Sequence, residues 1–210
     1  MSCDRPPSAP RPKPYGAIAR FYDLLDLPFE KARYRPIRKR LFEGLGGAIL
    51  DAGVGTGRNI AFYPGGAEIV GIDRSPAMLA RARRRAAEIG RAVDLQVMDA
   101  TATAFPEARF DAVVASFLFC VLEEAEQLPA LHELRRIVKP GGEIRLVEYV
   151  YSKRPGKRLV MRLWAPWVRL LYGAAFDRGT ERYIEAAGFR LAEERFVFED
   201  IIKLLVLKPA

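Results

Sequence analysis

Short apolar runs alternate with segments of helical spacing along most of this chain. We predict strands at 49–50, 68–72, 93–97, 110–115 and 143–150, and two final strands at 189–198 and 201–208. The helices predicted between them lie at 76–89, 124–138 and 178–187. Strands that alternate with helices indicate an α/β fold, in which helices cover both faces of a mostly parallel sheet.

The rest of the pattern divides the chain into an arm, a domain and an insertion. Residues 1–14 are rich in proline and predict a disordered arm. A single domain is expected over 15–210; it begins with N-terminal helices at 15–45 and carries an insertion at 152–176. No run of about 18 apolar residues is present, so no membrane-spanning helix is expected. The first residues lack the apolar core of a secretory signal.

The composition of the chain indicates which kinds of binding partner and which cellular compartment to expect. Half of the residues are hydrophobic, as in ordinary globular proteins, and the formal net charge is +8. This charge favours an anionic partner: nucleic acid, an anionic membrane surface or a phosphorylated substrate. The two cysteines, Cys3 and Cys120, predict no disulfide and favour a reducing compartment. His132 is the sole histidine, and no cluster of ligands predicts a metal site.

A glycine-rich turn follows the first strand, in the stretch ILDAGVGTGRNIAFYP at 49–64. Asp51 precedes three glycines at alternate positions, Gly53, Gly55 and Gly57, and a segment able to begin a helix follows. Glycine allows unusual backbone angles and a close approach to a ligand. A dinucleotide fingerprint requires a third glycine where this chain has Arg58.

Polar residues also end the next three strands. Asp73 follows the second strand, Asp99 and Ala100 follow the third, and Ser116 follows the fourth. Ligands of doubly wound sheets bind at the carboxyl ends of the strands. We therefore expect Asp73 to accept both hydroxyls of a ribose, and Asp99 to accept an adenine amine beside the Ala100 N–H. Ser116 is expected to face the remainder of the same ligand.

The ordered motifs DAGVGTG, GIDRSPAMLARAR, MDATATAFP, FDAVVASF and LRRIVKPGGEIRLVEY resemble those of class I S-adenosylmethionine (AdoMet) methyltransferases. The resemblance implies AdoMet as cofactor, S-adenosylhomocysteine as product, and a seven-stranded Rossmann-like sheet whose last strand runs antiparallel between strands 5 and 6. The cofactor-binding residues it implies are Tyr22, Asp51, Gly53, Gly55, Asn59, Asp73, Arg74, Met78, Asp99, Ala100 and Ser116.

The methyl acceptor is less closely defined. YGAIARFYD resembles the first helix of methyltransferases acting on quinones and phospholipids, where residues matching Tyr15 and Tyr22 close over the cofactor. GTGRNIAFYPGG, ASFLFCVLEE and VEYV resemble small phosphatidylethanolamine N-methyltransferases and alkyl thiol S-methyltransferases. Those groups often have Glu-His where this chain has Glu148-Tyr149, so the acid–base assignment stays open.

Several acceptors therefore remain as hypotheses. The first is N-methylation of a phosphatidylethanolamine head group; the alternatives are thiol or sulfide S-methylation, quinone C-methylation, and an AdoMet-binding regulatory protein without turnover. Nucleic acid is not expected as substrate, because the fourth strand lacks Asn/Asp-Pro-Pro-Tyr and Cys120 does not follow a proline. The residues expected to place the nucleophile are Tyr15, Glu148 and Tyr149, and those expected to hold a phosphate are Arg178, Arg182 and Tyr183.

The insertion combines apolar and basic residues in KRPGKRLVMRLWAPWVRLLY, at 153–172. Such a segment suits an interfacial membrane helix, a lid over the substrate or a dimer contact. The residues expected to meet an anionic membrane are Lys39, Arg40, Arg158, Arg162, Trp164 and Trp167. A membrane contact predicts a cytoplasmic protein that associates peripherally with the inner membrane.

Overall fold

A computed structural model describes residues 34–210, apart from the side chains of residues 171 and 172. The predicted arm at 1–14, the first part of the N-terminal helices, and the predicted site residues Tyr15 and Tyr22 lie outside the described residues.

The described residues form a seven-stranded sheet in the order β3-β2-β1-β4-β5-β7-β6. The strands are β1 (Ala48–Ala52), β2 (Glu68–Asp73), β3 (Asp94–Val97), β4 (Phe110–Ser116), β5 (Val138–Tyr149), β6 (Phe189–Phe198) and β7 (Ile202–Pro209). Neighbouring strands from β3 to β5 are parallel, and β7 is antiparallel to both β5 and β6. The predicted sheet, with its last strand antiparallel between strands 5 and 6, is confirmed.

Helices cover both faces of the sheet, as predicted. The α-helices are α1 (Arg35–Phe42), α2 (Pro76–Glu88), α3 (Glu124–Ile137) and α4 (Pro155–Tyr172), and two 3₁₀ helices cover Ile60–Phe62 and Thr180–Tyr183. Alternate residues of a strand point to opposite faces, so the sheet serves two cores. Ile49 of β1 packs in one core with residues of α1 and α2, and Leu50 packs in the other with residues of α3.

Local sequence signals account for the helix ends near the site. The Ser75 side chain accepts the Met78 N–H at 3.4 Å and caps α2, with Pro76 at the first turn. A capping box between Glu123 and Glu126 begins α3. Gly173, with φ of 67°, ends α4 in the left-handed conformation that favours glycine.

The helix predicted at 178–187 is wrong, and the segment after the glycine turn, described as able to begin a helix, forms no α-helix. The glycine turn leads only to the short 3₁₀ helix Ile60–Phe62, because Pro64 holds Tyr63 in an extended conformation. The segment predicted as a helix at 178–187 is a 3₁₀ helix, Thr180–Tyr183, followed by turns. Gly179 has a φ of 58° there, so a regular helix cannot run through it.

The fifth strand begins earlier than predicted. Lys139 to Gly142, which precede the strand predicted at 143–150, belong to β5, where a register shift places Glu143 rather than Pro140 opposite Ala112 of β4. A Cβ on Gly142 would lie 2.6 Å from the Asp111 carbonyl oxygen, which explains the need for glycine at this bulge.

Candidate active site

A cavity opens at the carboxyl ends of β1, β2 and β4, where the strand order reverses. The Gly53 and Val54 N–H groups both donate to the Ile72 carbonyl at 2.9 Å, which ties the glycine turn to β2. A Cβ on Gly53 would lie 2.9 Å from the Leu118 side chain. A Cβ on Gly55 would have, among the described residues, just the Gly53 carbonyl oxygen near it, at 4.0 Å. A side chain at Gly55 would therefore project into the cavity, so the turn leaves room for a ligand against the backbone.

Two aspartates stand on the wall of this cavity, as predicted from the strand ends. Asp73 accepts the Gly55 N–H at 3.0 Å on one oxygen and the Ser75 N–H at 2.8 Å on the other. Burial raises the pKa of Asp73, and these two N–H groups oppose the rise. Asp99 accepts the backbone N–H and hydroxyl of Thr101 at 2.9 and 2.8 Å. Both carboxylates are thus fixed in place and can accept further hydrogen bonds from a ligand.

Apolar and basic side chains complete the lining. Met78 and Met98, with Leu118, Val121 and Leu122, supply an apolar surface suited to a flat heterocycle. Arg74 also borders the cavity and pairs with Glu126 at 3.1 Å. Ala100 and Ser116, which were predicted to bind the cofactor, line the cavity, and so do Thr56 and Arg58, which the sequence interpretation did not select.

Asp51 and Asn59 lie behind the cavity wall, although both were predicted to bind the cofactor. Asn59 donates to both Asp51 carboxylate oxygens, at 3.1 and 2.9 Å, and to the Ser116 hydroxyl at 3.0 Å. The Tyr63 hydroxyl donates to Asp51 at 2.6 Å. Burial raises the pKa of Asp51 to about 6, against the hydrogen bonds from Tyr63 and Asn59 and the charge of Arg38. These residues therefore position the wall rather than form it.

Arg38 is a site residue that sequence reasoning missed. Only 7% exposed, it lines the cavity, donates to the Asn59 side-chain oxygen at 2.6 Å and lies 3.4 Å from the Ser116 hydroxyl. A guanidinium there can take a carboxylate. The sequence carried a signal, since Arg38 shares the buried face of α1 with Leu41 and Phe42 at helical spacing. Its basic neighbours concealed that signal.

Beyond Ser116 the wall becomes aromatic. Phe117 has a φ of 58°, unusual for a residue other than glycine, and its N–H donates to the Val147 carbonyl at 2.8 Å. Its ring stacks on Tyr149 with centroids 4.9 Å apart. Tyr149 hydrogen-bonds Tyr34 through the two hydroxyls and meets Phe176 edge-on at 5.7 Å. The predicted acceptor-side residue Tyr149 thus belongs to an aromatic cluster beside the cavity.

Glu148, the second predicted acceptor-side residue, is 2% exposed and does not line the cavity. Its Oε2 lies 2.9 Å from the Thr180 hydroxyl. Burial raises the pKa of Glu148 to about 7, although Thr180 and Lys203 favour the charged form. Burial likewise raises the pKa of the Cys120 thiol to about 12, so Cys120 is a buried thiol rather than a nucleophile.

The residues predicted to hold phosphate separate into two environments. Arg178 is partly buried, and its Nε has no hydrogen-bond partner within the described part of the chain. Arg182 is exposed, stacks over the Tyr183 ring and pairs with Glu124 at 3.3 Å. The structure therefore brings Arg178 towards the interior and leaves Arg182 and Tyr183 together at the surface.

The predicted membrane residues are exposed on α1 and α4. Trp164 and Trp167 are 62% and 58% exposed, and Arg158 and Arg162 are also exposed. On α1, Lys39 is exposed, and Arg40 borders a depression whose other side chains carry both signs of charge. Within residues 34–210, no helix is both long and apolar enough to cross a membrane, and no group of side chains suits a metal ion.

Comparisons with known proteins agree with this geometry. Residues 49–142 match the family model described as a methyltransferase domain. The chain is 36% identical over 140 residues to a phosphatidylethanolamine N-methyltransferase of Cereibacter sphaeroides, covering 63% of this chain and 68% of that protein. It is 37% identical over 166 residues to a demethylmenaquinone methyltransferase of Thermus thermophilus, covering 76% and 68%.

The fold is shared with solved structures at low identity. A geranyl diphosphate C-methyltransferase of Streptomyces coelicolor, in complex with S-adenosylhomocysteine, superposes with a TM-score of 0.67 at 15% identity, covering 97% of this chain and 86% of that one. The sheet order is that of a Rossmann-like α/β fold. The chain belongs to the class I S-adenosylmethionine-dependent methyltransferases.

The cavity residues fit AdoMet, the cofactor of this family. Two fixed carboxylates, Asp73 and Asp99, can accept hydroxyl and amine protons, and Gly55 leaves room beside them. When bound, AdoMet supplies an activated methyl group on a sulfonium. The chain then has to bind, align and exclude water rather than activate the donor.

Proposed function

We propose that this methyltransferase N-methylates the ethanolamine head group of phosphatidylethanolamine at a membrane surface, towards phosphatidylcholine. The observation that carries the proposal is the exposed surface of α4. A substrate held in a bilayer requires an enzyme that reaches the interface, and this helix has the composition and geometry for it.

The apolar side chains of α4 form one exposed face. At 3.6 residues per turn they fall within about 140° of the helix circumference. The side chains that form this apolar face are each 53–71% exposed: Leu159, Val160, Leu163, Trp164, Trp167 and Leu170. The partly buried residues Lys157, Met161 and Val168 lie on another side, where Lys157 pairs with Glu199 and Asp200. The apolar face therefore points away from the folded body.

Three arginines lie along a further side of the same helix. Arg158, Arg162 and Arg169 are exposed, and their mean direction is about 150° from that of the apolar face. Apolar and aromatic residues can enter the acyl boundary, while long arginine side chains reach the phosphates of the head groups. The similarity to a phosphatidylethanolamine N-methyltransferase supports the same acceptor. On this proposal the protein is cytoplasmic and peripheral to the inner membrane.

The chain's contribution to the chemistry is alignment and desolvation. The acceptor amine must approach as its neutral form, because its lone pair attacks the methyl carbon. Phe117 and Tyr149 supply an apolar wall beside Ser116, and such a wall keeps water from the reacting nitrogen. Tyr15 and Tyr22, outside the described residues, remain candidates for closing the site, and Glu148 and Arg178 for holding the head group.

Quinone C-methylation is the second candidate. The chain is 37% identical to a demethylmenaquinone methyltransferase, and the stacked rings of Phe117 and Tyr149 would also suit a flat substrate. Thiol S-methylation and AdoMet binding without turnover remain less supported alternatives.

The test is a transfer assay with radiolabelled AdoMet and three acceptors. We expect methylation of phosphatidylethanolamine in vesicles that contain phosphatidylglycerol, and little with demethylmenaquinone or an alkyl thiol. Replacing Trp164 and Trp167 by alanine should reduce vesicle binding and turnover together. The matched control replaces Leu191 and Phe196, each 41% exposed on β6, and should leave both unchanged. Methylation of the quinone or thiol alone would refute the proposed acceptor.

A further inference from the structure

A buried chain of polar groups links α3, β5 and the segment before β6. Gln127, Glu148 and Thr180 are 0, 2 and 0% exposed. The Gln127 side-chain nitrogen donates to the Phe119 and Leu122 carbonyls at 2.7 and 3.2 Å. Because both amide protons are used there, the oxygen of Gln127 faces Thr180. The orientation of the amide is thereby settled by the backbone.

The Thr180 hydroxyl stands between two acceptors but has one proton to give. It lies 3.0 Å from the Gln127 oxygen and 2.9 Å from Glu148 Oε2. When Glu148 is protonated at Oε2, it donates to Thr180, and Thr180 donates to Gln127. When Glu148 is ionised, Thr180 turns its proton to the carboxylate instead. The hydroxyl therefore provides a hydrogen bond to Glu148 in both protonation states.

The second oxygen of Glu148 is left over. Glu148 Oε1 is buried and has no hydrogen-bond partner among residues 34–210, and the same is true of Arg178 Nε. The charges of both residues affect the pKa of the Cys120 thiol: Glu148 raises it and Arg178 lowers it. Lys203, opposite Glu148 on β7, is engaged by Glu181 and lies 3.6 Å from Glu194. A buried polar group without a hydrogen bond destabilises the fold, so a ligand that hydrogen-bonds both atoms gains affinity from them.

The segment that carries Arg178 connects this cluster to α4. It runs from Gly173 to Gly179, two glycines with φ of 67° and 58°. The Ala175 N–H donates to the Cys120 carbonyl at 2.8 Å and holds the segment against the cluster. The segment therefore ties the end of α4 to the buried cluster.

We propose that Glu148 and Arg178 form the head-group subsite for an aminoalkyl phosphate, with Glu148 accepting the proton that the amine must lose. The inference rests on the proposed phospholipid acceptor. The ammonium nitrogen donates to Glu148 Oε1, and an oxygen of the phosphate ester accepts from the Arg178 guanidinium.

The step balances in atoms and electrons. One proton passes from the ammonium to ionised Glu148, leaving a neutral amine and a neutral carboxylic acid. The nitrogen lone pair then forms the N–C bond as the C–S bond breaks, and that electron pair returns to sulfur. Glu148 afterwards releases its proton to solvent.

Glu148→Gln tests the proton transfer directly. Glutamine can donate to Thr180 and present an oxygen at the second position, so it imitates the neutral acid but cannot take a proton. We expect kcat with phosphatidylethanolamine in mixed micelles to fall about 100-fold or more at pH 7. The loss should shrink as the pH rises and more of the amine is already neutral, and the thermal midpoint should not fall. An unchanged kcat and pH profile would overturn the inference.

Arg178→Met tests the phosphate contact. It should raise KM for phosphatidylethanolamine about tenfold with little change in kcat, whereas Arg190→Met, an exposed arginine of β6, should change neither.

A binding measurement separates the subsite from the proposed reaction. Titration of sn-glycero-3-phosphoethanolamine into the S-adenosylhomocysteine complex should show binding that both variants weaken. If the lipid is not methylated but this binding depends on both residues, the subsite stands and the proposed function fails. No binding at millimolar concentration, or binding indifferent to both variants, would refute the subsite.

Discussion

The region around Asp73 and Asp99, proposed to hold the cofactor, and the region around Glu148 and α4, proposed to hold the acceptor, are built differently; we call them the cofactor half and the acceptor half. In the cofactor half, Asp99 accepts from Thr101 and Asp73 from Ser75, each two residues further along the chain, and Asp73 also accepts from Gly55, 18 residues earlier in the turn after β1. In the acceptor half, Glu148 is held by Thr180, 32 residues further along the chain. Each cofactor-side carboxylate thus has at least one contact within its own turn, whereas Glu148 depends on tertiary packing.

The largest expected effect concerns that tertiary packing, through the pH dependence of stability. The pKa of Glu148 is raised from 4.5 to about 7 by burial, so its contribution is fully present below about pH 4.5 and is lost as the pH rises through 7. The loss should be on the order of 3 kcal/mol between pH 5 and 8. Urea denaturation of wild type and Glu148→Gln at both pH values measures it.

Glu148→Gln should show only part of this fall in the free energy of unfolding between pH 5 and pH 8. Asp51, whose pKa is raised to about 6, destabilises the fold in the same direction as the pH rises. The free energy of unfolding of Glu148→Gln should therefore fall less than that of wild type. An identical fall in both proteins would show that Glu148 is not buried as the structure has it.

The cofactor half should respond through binding. Asp73→Ala should weaken AdoMet binding by about 1.5–3 kcal/mol, the range for hydrogen bonds to a charged group. Calorimetry measures the affinity, and Asp94→Ala, an exposed aspartate at the start of β3, is the control. Because Asp73 also holds the glycine turn, the thermal midpoint of the apo protein is measured alongside. Unchanged affinity would remove Asp73 from the site.

The same contrast explains how far the sequence could be interpreted. Strand ends and the glycine turn are local patterns, so the sheet, the cavity and the places of Asp73, Asp99, Ala100 and Ser116 followed from them. The pairing of Glu148 with Thr180 could not, because no spacing links β5 to a turn 32 residues away. The wrong helix at 178–187 has a similar cause, since periodicity was visible but the backbone conformation of Gly179 was not.

Arg38 could be predicted from the sequence in part, unlike the pairing of Glu148 with Thr180. Its helical spacing was readable, yet only packing shows that it turns inward, towards Asn59 and Ser116. Asp51 and Asn59 show the converse, because their motif positions were recognised but their places behind the wall were not. A motif identifies residues of a site more reliably than it separates those that touch a ligand from those that orient them.

A substitution of Arg38 tests whether the cofactor half includes the buried face of α1. If its guanidinium takes the cofactor carboxylate, Arg38→Met should weaken AdoMet binding about tenfold, which corresponds to about 1.4 kcal/mol. The same variant should bind decarboxylated AdoMet as wild type does, because that ligand lacks the carboxylate. Arg40→Met, on the exposed side of α1, is the control. Equal losses for both ligands would mean that Arg38 supports the fold alone.

The smallest expected effect is on vesicle binding, when one exposed arginine of α4 is replaced. Each basic residue near an anionic surface contributes about 1 kcal/mol, so Arg162→Ala should weaken binding to phosphatidylglycerol vesicles about fivefold. The effect should vanish on vesicles of neutral lipid and shrink in salt, since the attraction is screened over about 8 Å at physiological ionic strength. Arg190→Ala removes the same charge from exposed β6, away from α4, and should leave co-sedimentation unchanged. Equal losses of binding from both substitutions would mean that the net charge of +8 explains the attraction to the vesicles, and that α4 makes no defined contact with them. A loss confined to Arg162 would make α4 the part of the acceptor half that meets the lipid.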